Sequence, residues 1–196
     1  MNVQSKDVAC KKQAIMQSML SLIYEYGIQG TPMSLVAKNA GVAAGTIYHY
    51  FESKEDLMIQ TAKEIRQSIH DNFFRPEFQD LNYYDRFKNG WIALAKFFFE
   101  HPRYLWYLEQ YSNSPYAQKE KDDGIVESPF FVQFRALIEE GKKVDIIRQL
   151  DTTLISIVLY GCIISTVKCA LKGLTTMDET IMTQIFEISW ESIHKK

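Results

Sequence analysis

The apolar positions of this chain recur at three- and four-residue steps, which is the spacing of one helix face. The first such face consists of Ile15, Met19, Leu22, Ile23 and Tyr26. Ser5 is placed to cap this helix and Gly27 to end it. A longer helix starts at Ser53 and stops at Arg75-Pro76; its inward positions are Leu57, Thr61, Ile65, Ile69 and Phe73. The pattern predicts an all-α protein.

Large aromatic side chains are concentrated in three later helical segments. The first begins at Asn82 and has one face of Tyr84, Phe87, Trp91, Leu94 and Phe98, which Phe97 and Phe99 broaden. The second begins at His101-Pro102, with Leu105, Leu108 and Tyr111 inward and Tyr104, Trp106 and Tyr107 around them. Polar residues 118–127 are expected to form a surface loop. The third begins at Ser128-Pro129 and carries Phe130, Phe131, Phe134, Leu137 and Ile138.

Two further helices are predicted near the C-terminus. Asp151 or Thr152 can cap a helix that runs toward Gly173. This helix is apolar nearly all round, so it must be covered on several sides. Thr175-Thr176 is expected to open the last helix, which carries Ile181, Ile185, Ile188 and Trp190.

Composition and charge narrow the class of protein. The 196 residues are 46% hydrophobic and 13% aromatic, which is typical of a folded protein with a substantial core. The net charge of −2 argues against a generally basic coat for nucleic acid. A DNA-binding protein of this composition must therefore concentrate its cations locally.

No targeting, membrane or metal-binding segment is expected. Residues 1–12 are polar, unlike a secretory signal. The most apolar run, Leu154 to Val167, is shorter than the roughly 20 residues that a spanning helix needs. Three cysteines and four isolated histidines show no metal-ligand spacing, so we expect no metal and no cofactor. Cys162 and Cys169 are expected to act as small hydrophobic residues in a reducing cytoplasm.

The most informative stretch runs from Thr31 to Leu57. Thr31 can cap a short helix whose first residue is Pro32 and whose apolar face is Val36, Ala37 and Ala40. Gly41 then permits a tight turn. In the second short helix Ile47 and Phe51 lie one turn apart and point inward. Two short helices joined by a Gly turn form a helix-turn-helix, whose second helix fits the major groove of DNA.

The residues from Ala40 to Leu57, AGVAAGTIYHYFESKEDL, resemble the DNA-binding signature of the TetR family of bacterial transcriptional regulators. The resemblance runs through the turn, the recognition helix and the capped start of the next helix. It implies an N-terminal three-helix DNA-binding domain, residues 1–52. A larger helical domain for ligand binding and dimerisation, residues 53–196, is expected to follow.

The outward residues of this motif divide by role. Thr46, Tyr48 and His49 are placed to reach base edges, whereas Tyr50 and Lys54 are expected to hold phosphates. Ala44 and Gly45 are small enough to let the helix approach the groove. Family members often carry a hydroxyl where this chain has a proline, so that phosphate contact is expected to move to Thr31, Ser34 or the backbone. The alternative is that Tyr48 and Tyr50 are half-buried and pack against the rest of the small N-terminal domain.

The aromatic abundance suggests a ligand pocket. An aromatic stripe at helical spacing is usually core, but here three successive helices bring large rings to one region. Imperfect packing of such rings leaves an apolar pocket. The hypothesis is that this pocket binds a hydrophobic or aromatic small molecule and is lined by Trp91, Phe98, Tyr107, Tyr111 and Phe134.

The resemblance also implies how the parts work together. In the family the last two helices pack against their copies, so a homodimer is expected through residues 151–173 and 176–194. The twofold protein would bind a palindromic operator as a repressor, and its ligand would release it from the DNA. It is expected in the cytoplasm, associated with the nucleoid while it is bound to DNA. The rival interpretations are a helical ligand-binding protein without DNA binding and an enzyme. For an enzyme, the chain shows no nucleophile elbow, phosphate-binding Gly loop or zinc signature.

Overall fold

The computed structural model describes residues 3–122 and 128–195, and in those ranges it is helical without a strand. This confirms the all-α fold class. The helices are α1 (Val3–Tyr26), α2 (Met33–Asn39), α3 (Ala44–Ile47), α4 (Lys54–Phe73), α5 (Tyr83–Glu100), α6 (Pro102–Ser112), α7 (Pro115–Asp122), α8 (Pro129–Lys143), α9 (Thr152–Leu171) and α10 (Glu179–Ile193). A single turn of 3-10 helix, Pro76–Phe78, lies between α4 and α5.

The chain divides into two compact units. The first consists of the described residues of Met1–Ile65 and Arg103–Val126, and the second of those of Arg66–Pro102 and Glu127–Lys196. Helices α6 and α7 thus belong with the N-terminal helices, and α4 contributes residues to both units. The functional boundary between residues 52 and 53 stays a prediction.

Helix α4 follows the sequence pattern over its whole length. Its five inward positions, from Leu57 to Phe73, are all buried. Ser53 Oγ accepts a 3.0 Å hydrogen bond from the Asp56 N–H, and Asp56 Oδ2 accepts one of 3.0 Å from the Glu52 N–H. This pair is a variant of the capping box: Asp replaces the usual Glu, and its carboxylate bonds the N–H of Glu52 instead of that of the N-cap residue Ser53. The predicted helix start at Ser53 is therefore confirmed.

In the second unit, α5 packs against α9 and α10, and α8 packs against α9. The α5 face formed by Phe87, Trp91, Leu94 and Phe98 is buried as predicted, but Phe99 is exposed. Asp151 caps α9 by accepting a 2.7 Å hydrogen bond from the Leu154 N–H. Main-chain bonds from Arg148 to Ile193 and from Lys195 to Ile146 fasten the C-terminus to the segment before α9.

Three expectations about local structure were wrong. Tyr26 is 59% exposed, although it shares the helical spacing of the buried residues Ile15 to Ile23, because it lies in the last turn of α1. Part of the expected loop 118–127 is helical, since α7 extends to Asp122; residues 123–127 lie outside the described ranges. The last helix is opened by Asp178 rather than by Thr175-Thr176, because Asp178 Oδ1 accepts a 3.0 Å hydrogen bond from the Ile181 N–H.

The C-terminal apolar helix has the predicted bounds, but the apolar segment is longer than the run Leu154 to Val167. Helix α9 has 20 residues, and among the described helices it is the one long and apolar enough to cross a membrane by length and composition. It is also covered on one side, because Ile155, Leu159, Ile163 and Val167 are buried within the second unit.

Candidate functional sites

The two short helices and the Gly turn form where the sequence predicts, but α3 ends at Ile47, so Phe51 lies beyond the helix in which it was expected. Gly41 has a φ of +67°, a conformation that side-chain-bearing residues rarely adopt. The Val42 N–H closes the turn by donating a 3.0 Å hydrogen bond to the Ala37 carbonyl. Ile47 and Phe51 are buried, which confirms their inward direction. The inner side of α3 is therefore fixed by packing, and its outer side is free to face another molecule.

Most of the predicted DNA-contacting residues are exposed or half-buried. Tyr48 is 57% exposed. Ser34, Ala44, Gly45 and His49 are also exposed, and Thr46 and Tyr50 are half-buried. Helix α3 itself is one turn long, and Tyr48 is its C-terminal cap residue. The surface combines hydroxyl, imidazole and phenol groups with a stretch of small residues that lets it approach a groove closely.

Thr31 does not belong to this surface. Its side chain is 0% exposed, and its hydroxyl donates a 2.8 Å hydrogen bond to the Gly27 carbonyl. Pro32, not Thr31, is the N-cap of α2, and no side chain caps this helix. Thr31 therefore joins the end of α1 to the start of α2, and the prediction that it holds a phosphate was wrong.

Lys54 is half-buried at the first position of α4. Its Nζ donates a 2.7 Å hydrogen bond to the Ile28 carbonyl. Burial lowers the pKa of this ammonium from its usual value. Because an ammonium has three donors, Lys54 can hold Ile28 and still face a phosphate.

One cation on the outer surface was missed. Lys38 is exposed in the last turn of α2, four residues after Ser34, so both side chains lie on the same helix face. That spacing was the signal that could have found it. Among the lysines near the N-terminus, Lys12 lies with its Nζ 5.7 Å from the centre of the Phe51 ring.

In the second unit, aromatic rings of the predicted ligand site are part of a packed cluster. Phe134 stacks on Phe130 with ring centres 5.2 Å apart and meets Phe73 edge to face at 5.2 Å. Trp91 lies 5.8 Å from Phe186, and Phe98 lies 6.2 Å from Tyr160. Trp91 Nε1 is buried and has no hydrogen-bond acceptor among the described residues. This indole N–H is a buried donor that an acceptor group could satisfy.

The other two predicted ligand residues lie in the first unit. Tyr107 and Tyr111 are stacked with ring centres 6.1 Å apart, and both are buried. The Tyr107 hydroxyl donates to the Met58 carbonyl at 2.8 Å, and the Tyr111 hydroxyl donates to Glu120 Oε2 at 2.7 Å. Glu120 is itself buried on α7, which the sequence had suggested was a surface loop. A single chamber lined by all five aromatic residues stays a prediction.

Open clefts lie within the described residues of each unit. A cleft of about 490 Å³ lies in the first unit beside the C-terminal end of α1 and the turn between α6 and α7. A cleft of about 240 Å³ lies in the second unit between α5 and α8. None of the five predicted ligand residues lines either cleft. Within residues 3–122 and 128–195, no group of three or more His, Cys, Asp or Glu side chains could hold a metal ion.

The outer side of α9 is unusually apolar. Its exposed large side chains are Leu154, Ile157, Val158 and Leu171, and Ile157 is 63% exposed. Gly161 and Ser165 continue the same stripe at helical spacing and are exposed. Cys162 and Cys169 are half-buried beside it. On α10, Ile188 is 70% exposed. An apolar surface of this kind marks a site of interaction.

Comparisons with protein-family models cover both parts of the chain. A model described as bacterial regulatory proteins, tetR family, matches residues 15–61. A second, described as a tetracyclin repressor-like C-terminal domain, matches residues 83–194, which is more than half of the chain. Together the matches span the helix-turn-helix and all of α5 to α10.

Individual proteins give the same result. An uncharacterized HTH-type transcriptional regulator of Haemophilus influenzae is 30% identical over 94 residues, which are 48% of this chain and 50% of that protein. The chain thus spans about half the length of this curated relative. A TetR-family regulator from Marinobacter aquaeolei superposes with a TM-score of 0.86 at 18% identity, covering 98% of this chain and 100% of that one. FadR of Bacillus subtilis, solved with stearoyl-CoA, superposes with a TM-score of 0.74 at 22% identity, covering 93% of this chain and 99% of FadR. At these identities the superpositions establish the fold.

Proposed function

Because the chain belongs to the TetR family of bacterial regulatory proteins, we propose that it regulates transcription by binding a palindromic operator as a homodimer, from which a small molecule releases it. The observation that carries this proposal is the outer side of the helix-turn-helix. Tyr48 is largely exposed there, while Ile47, its neighbour in sequence, is fully buried.

The contacts with DNA follow from chemistry and position. Thr46, Tyr48 and His49 read base edges in the major groove, where hydroxyl and imidazole groups pair with base donors and acceptors. Ser34, Tyr50 and Lys54 hold phosphates on either side, and Lys38 adds a cation that the sequence interpretation lacked. Since the net charge is −2, these local cations account for the electrostatic part of binding.

The homodimer forms through α9 and α10, within residues 151–173 and 176–194. The apolar stripe from Leu154 to Ser165 is exposed in a single chain, and burial against a second copy removes it from water. Small residues such as Gly161 permit two such helices to approach closely. A twofold dimer presents two copies of α3, which matches the symmetry of a palindrome.

The effector is a hydrophobic or aromatic small molecule that enters the aromatic cluster of the second unit. Trp91, Phe98 and Phe134 line its site, and the unsatisfied Trp91 N–H donates to an acceptor on the ligand. FadR, a structural neighbour, binds stearoyl-CoA, which combines an apolar chain with a thioester carbonyl. Inclusion of Tyr107 and Tyr111 in the site stays a prediction.

Helix α4 transmits the signal. It buries Leu57 and Thr61 in the first unit and Ile69 and Phe73 in the second. A ligand that binds better to a conformation with α4 displaced shifts the population away from operator spacing. A coupling free energy of about 1–3 kcal/mol lowers DNA affinity about 5- to 150-fold, which is enough for a switch. The protein acts in the cytoplasm, at the nucleoid while it is bound to DNA, and it acts by binding, not by catalysis.

A footprint on the DNA flanking its own gene tests this proposal. Protection of two half-sites one helical turn apart, or a multiple of that, is expected, and it should weaken as salt rises. Repeating the footprint with stearoyl-CoA and with unrelated aromatic compounds tests release by an effector. Absence of protection at low salt on all flanking DNA would overturn DNA binding at this locus and favour a ligand-binding protein without it.

A further inference from the structure

The cleft of about 490 Å³ in the first unit has a lining that suits a ligand. It lies beside the end of α1 and the turn between α6 and α7. Its volume falls in the range of small-molecule sites in proteins. It belongs neither to the outer face of the helix-turn-helix nor to the aromatic cluster of the second unit, so it is a separate site.

The cleft offers hydrogen-bond acceptors. Gln110 Nε2 donates a 3.3 Å hydrogen bond to the Ile23 carbonyl, and Asn113 Nδ2 donates one of 2.9 Å to the Glu109 carbonyl. The Ser114 hydroxyl donates to the Tyr111 carbonyl at 2.6 Å. The oxygen atoms of the three side chains remain to accept from a ligand, and each of the two amides keeps a second N–H that can donate. A fitting ligand therefore carries groups that both donate and accept, as hydroxyls do.

The lining also indicates that the ligand is uncharged. It consists of tyrosine, glutamine, asparagine, serine, proline, isoleucine and glycine, none of which is charged near neutral pH. A charged ligand would gain no counter-charge from the lining side chains, and the neighbouring ammonium of Lys54 is already bonded to the Ile28 carbonyl. The net result favours a neutral molecule whose edge is polar.

Two phenol rings complete the site. Tyr26 and Tyr116 line the cleft, and each carries an apolar ring together with a hydroxyl that can donate and accept. Gln29 adds a carboxamide at the exposed rim of the cleft. A ring that carries C–H groups on its faces and hydroxyls around its edge matches both features. We propose that this cleft binds a neutral sugar, a mono- or disaccharide.

A sugar bound here would restrain the segment that anchors the helix-turn-helix. The Gly27 carbonyl accepts the Thr31 hydroxyl at 2.8 Å, and the Ile28 carbonyl accepts Lys54 Nζ at 2.7 Å. Both carbonyls belong to residues of the cleft lining. Occupation of the cleft is thus linked to the starts of α2 and α4, and it gives the protein a second point of control.

Saturation-transfer NMR on the full-length protein without DNA tests the site, independently of operator binding. Glucose, galactose, maltose and sucrose are compared with glucosamine and glucuronate, each at about 10 mM, which occupies a site with a millimolar Kd. At least one neutral sugar is expected to show transfer, and the charged sugars are expected to bind more weakly. Absence of transfer to all four neutral sugars, or equal binding of a charged one, overturns the proposal.

Variants locate the binding. Gln29→Ala and Tyr116→Ala should each weaken the sugar at least about fivefold by loss of a hydrogen bond or a ring contact. Gln29 lies exposed in the loop after α1, so its replacement leaves the fold intact, as circular dichroism would verify. Gln79→Ala, which removes the same group from the cleft of the second unit, is the matched control and should leave affinity unchanged. Unaltered affinity in both cleft variants places the sugar elsewhere and refutes the site.

Discussion

The hydroxyl of Tyr107 donates a 2.8 Å hydrogen bond to the main-chain carbonyl of Met58, and both residues are buried. Tyr107 lies on α6 and Met58 in the second turn of α4. The Tyr107 ring stacks on Tyr111, whose hydroxyl bonds to the buried Glu120 of α7. Within the first unit, α6 and α7 are therefore attached to α4 through directed polar contacts in apolar surroundings, where such contacts are strong.

Replacing Tyr107 by phenylalanine tests that attachment. The Tyr107→Phe change keeps the ring and removes one hydrogen bond, so we expect the free energy of unfolding to fall by about 0.5–1.5 kcal/mol. Urea denaturation followed by far-UV circular dichroism measures the loss. Tyr24→Phe is the control, because Tyr24 is exposed on α1 and its change should be within error. Equal stability of Tyr107→Phe and the parent protein would contradict the role assigned to the hydrogen bond.

Tyr48→Ala tests the DNA interface. The side chain is exposed, so the fold and the dimer should be unaffected. The free energy of operator binding should become less favourable by about 1–3 kcal/mol for each chain of the dimer, which is the amount that one good base contact contributes. Fluorescence anisotropy with a labelled operator, at one fixed salt concentration, gives the two dissociation constants. Tyr24→Ala serves as the matched tyrosine control. Retention of full affinity by Tyr48→Ala would mean that α3 does not enter the groove.

The helices that the sequence predicted best are those whose pattern alone determines the buried face. All five inward positions of α4 are buried, and Ile47 and Phe51 point inward as expected. A long repeat with a single apolar face predicts one buried face, because only that face gains free energy when it is covered by a core. The cap at Ser53 could also be predicted from the sequence, because its hydrogen-bonding partners lie within four residues of each other.

The errors concern side chains whose partners do not follow from the pattern of polar and apolar residues. Thr31 was expected to contact a phosphate because the neighbouring Pro32 lacks the hydroxyl that family members often carry there, but the Thr31 hydroxyl donates to the Gly27 carbonyl inside the protein. Glu120 was predicted to lie in a surface loop because its neighbours in sequence are polar, but it is buried and accepts a hydrogen bond from the Tyr111 hydroxyl. Tyr26 continued the repeat of α1 and lies instead in a cleft lining. None of these contacts is encoded by spacing along the chain.

Ile157→Glu tests the dimer through α9. Ile157 is 63% exposed in the middle of the apolar stripe, and a carboxylate there would be buried without a partner in the dimer. We expect the variant to be monomeric by size-exclusion chromatography with light scattering, and to bind operator weakly because the two half-sites are no longer held together. Val8→Glu, at a similarly exposed position on α1, should remain dimeric. A dimeric Ile157→Glu protein would exclude this face, and a monomeric parent protein that binds lipid vesicles would favour a membrane for α9 instead.

The cap of α10 predicts a pH dependence of stability. Hydrogen bonds from the Thr176 hydroxyl and the Ile181 N–H to Asp178 lower the pKa of its carboxyl from the usual value. A group whose folded pKa is lowered stabilises the protein above its unfolded pKa, about 3.9 for aspartate, and this contribution is lost as the pH falls through the lower folded value. Asp178→Asn keeps an oxygen that can cap the helix but cannot titrate. The parent protein should therefore have a larger free energy of unfolding than Asp178→Asn, by an amount that is constant from about pH 7 to about pH 5. This difference should then shrink toward about pH 3. Urea midpoints measured across this range give the difference, with Asp80→Asn, an exposed acid outside the helices, as the control. A difference that does not change with pH would show that the charge of Asp178 contributes nothing to the cap.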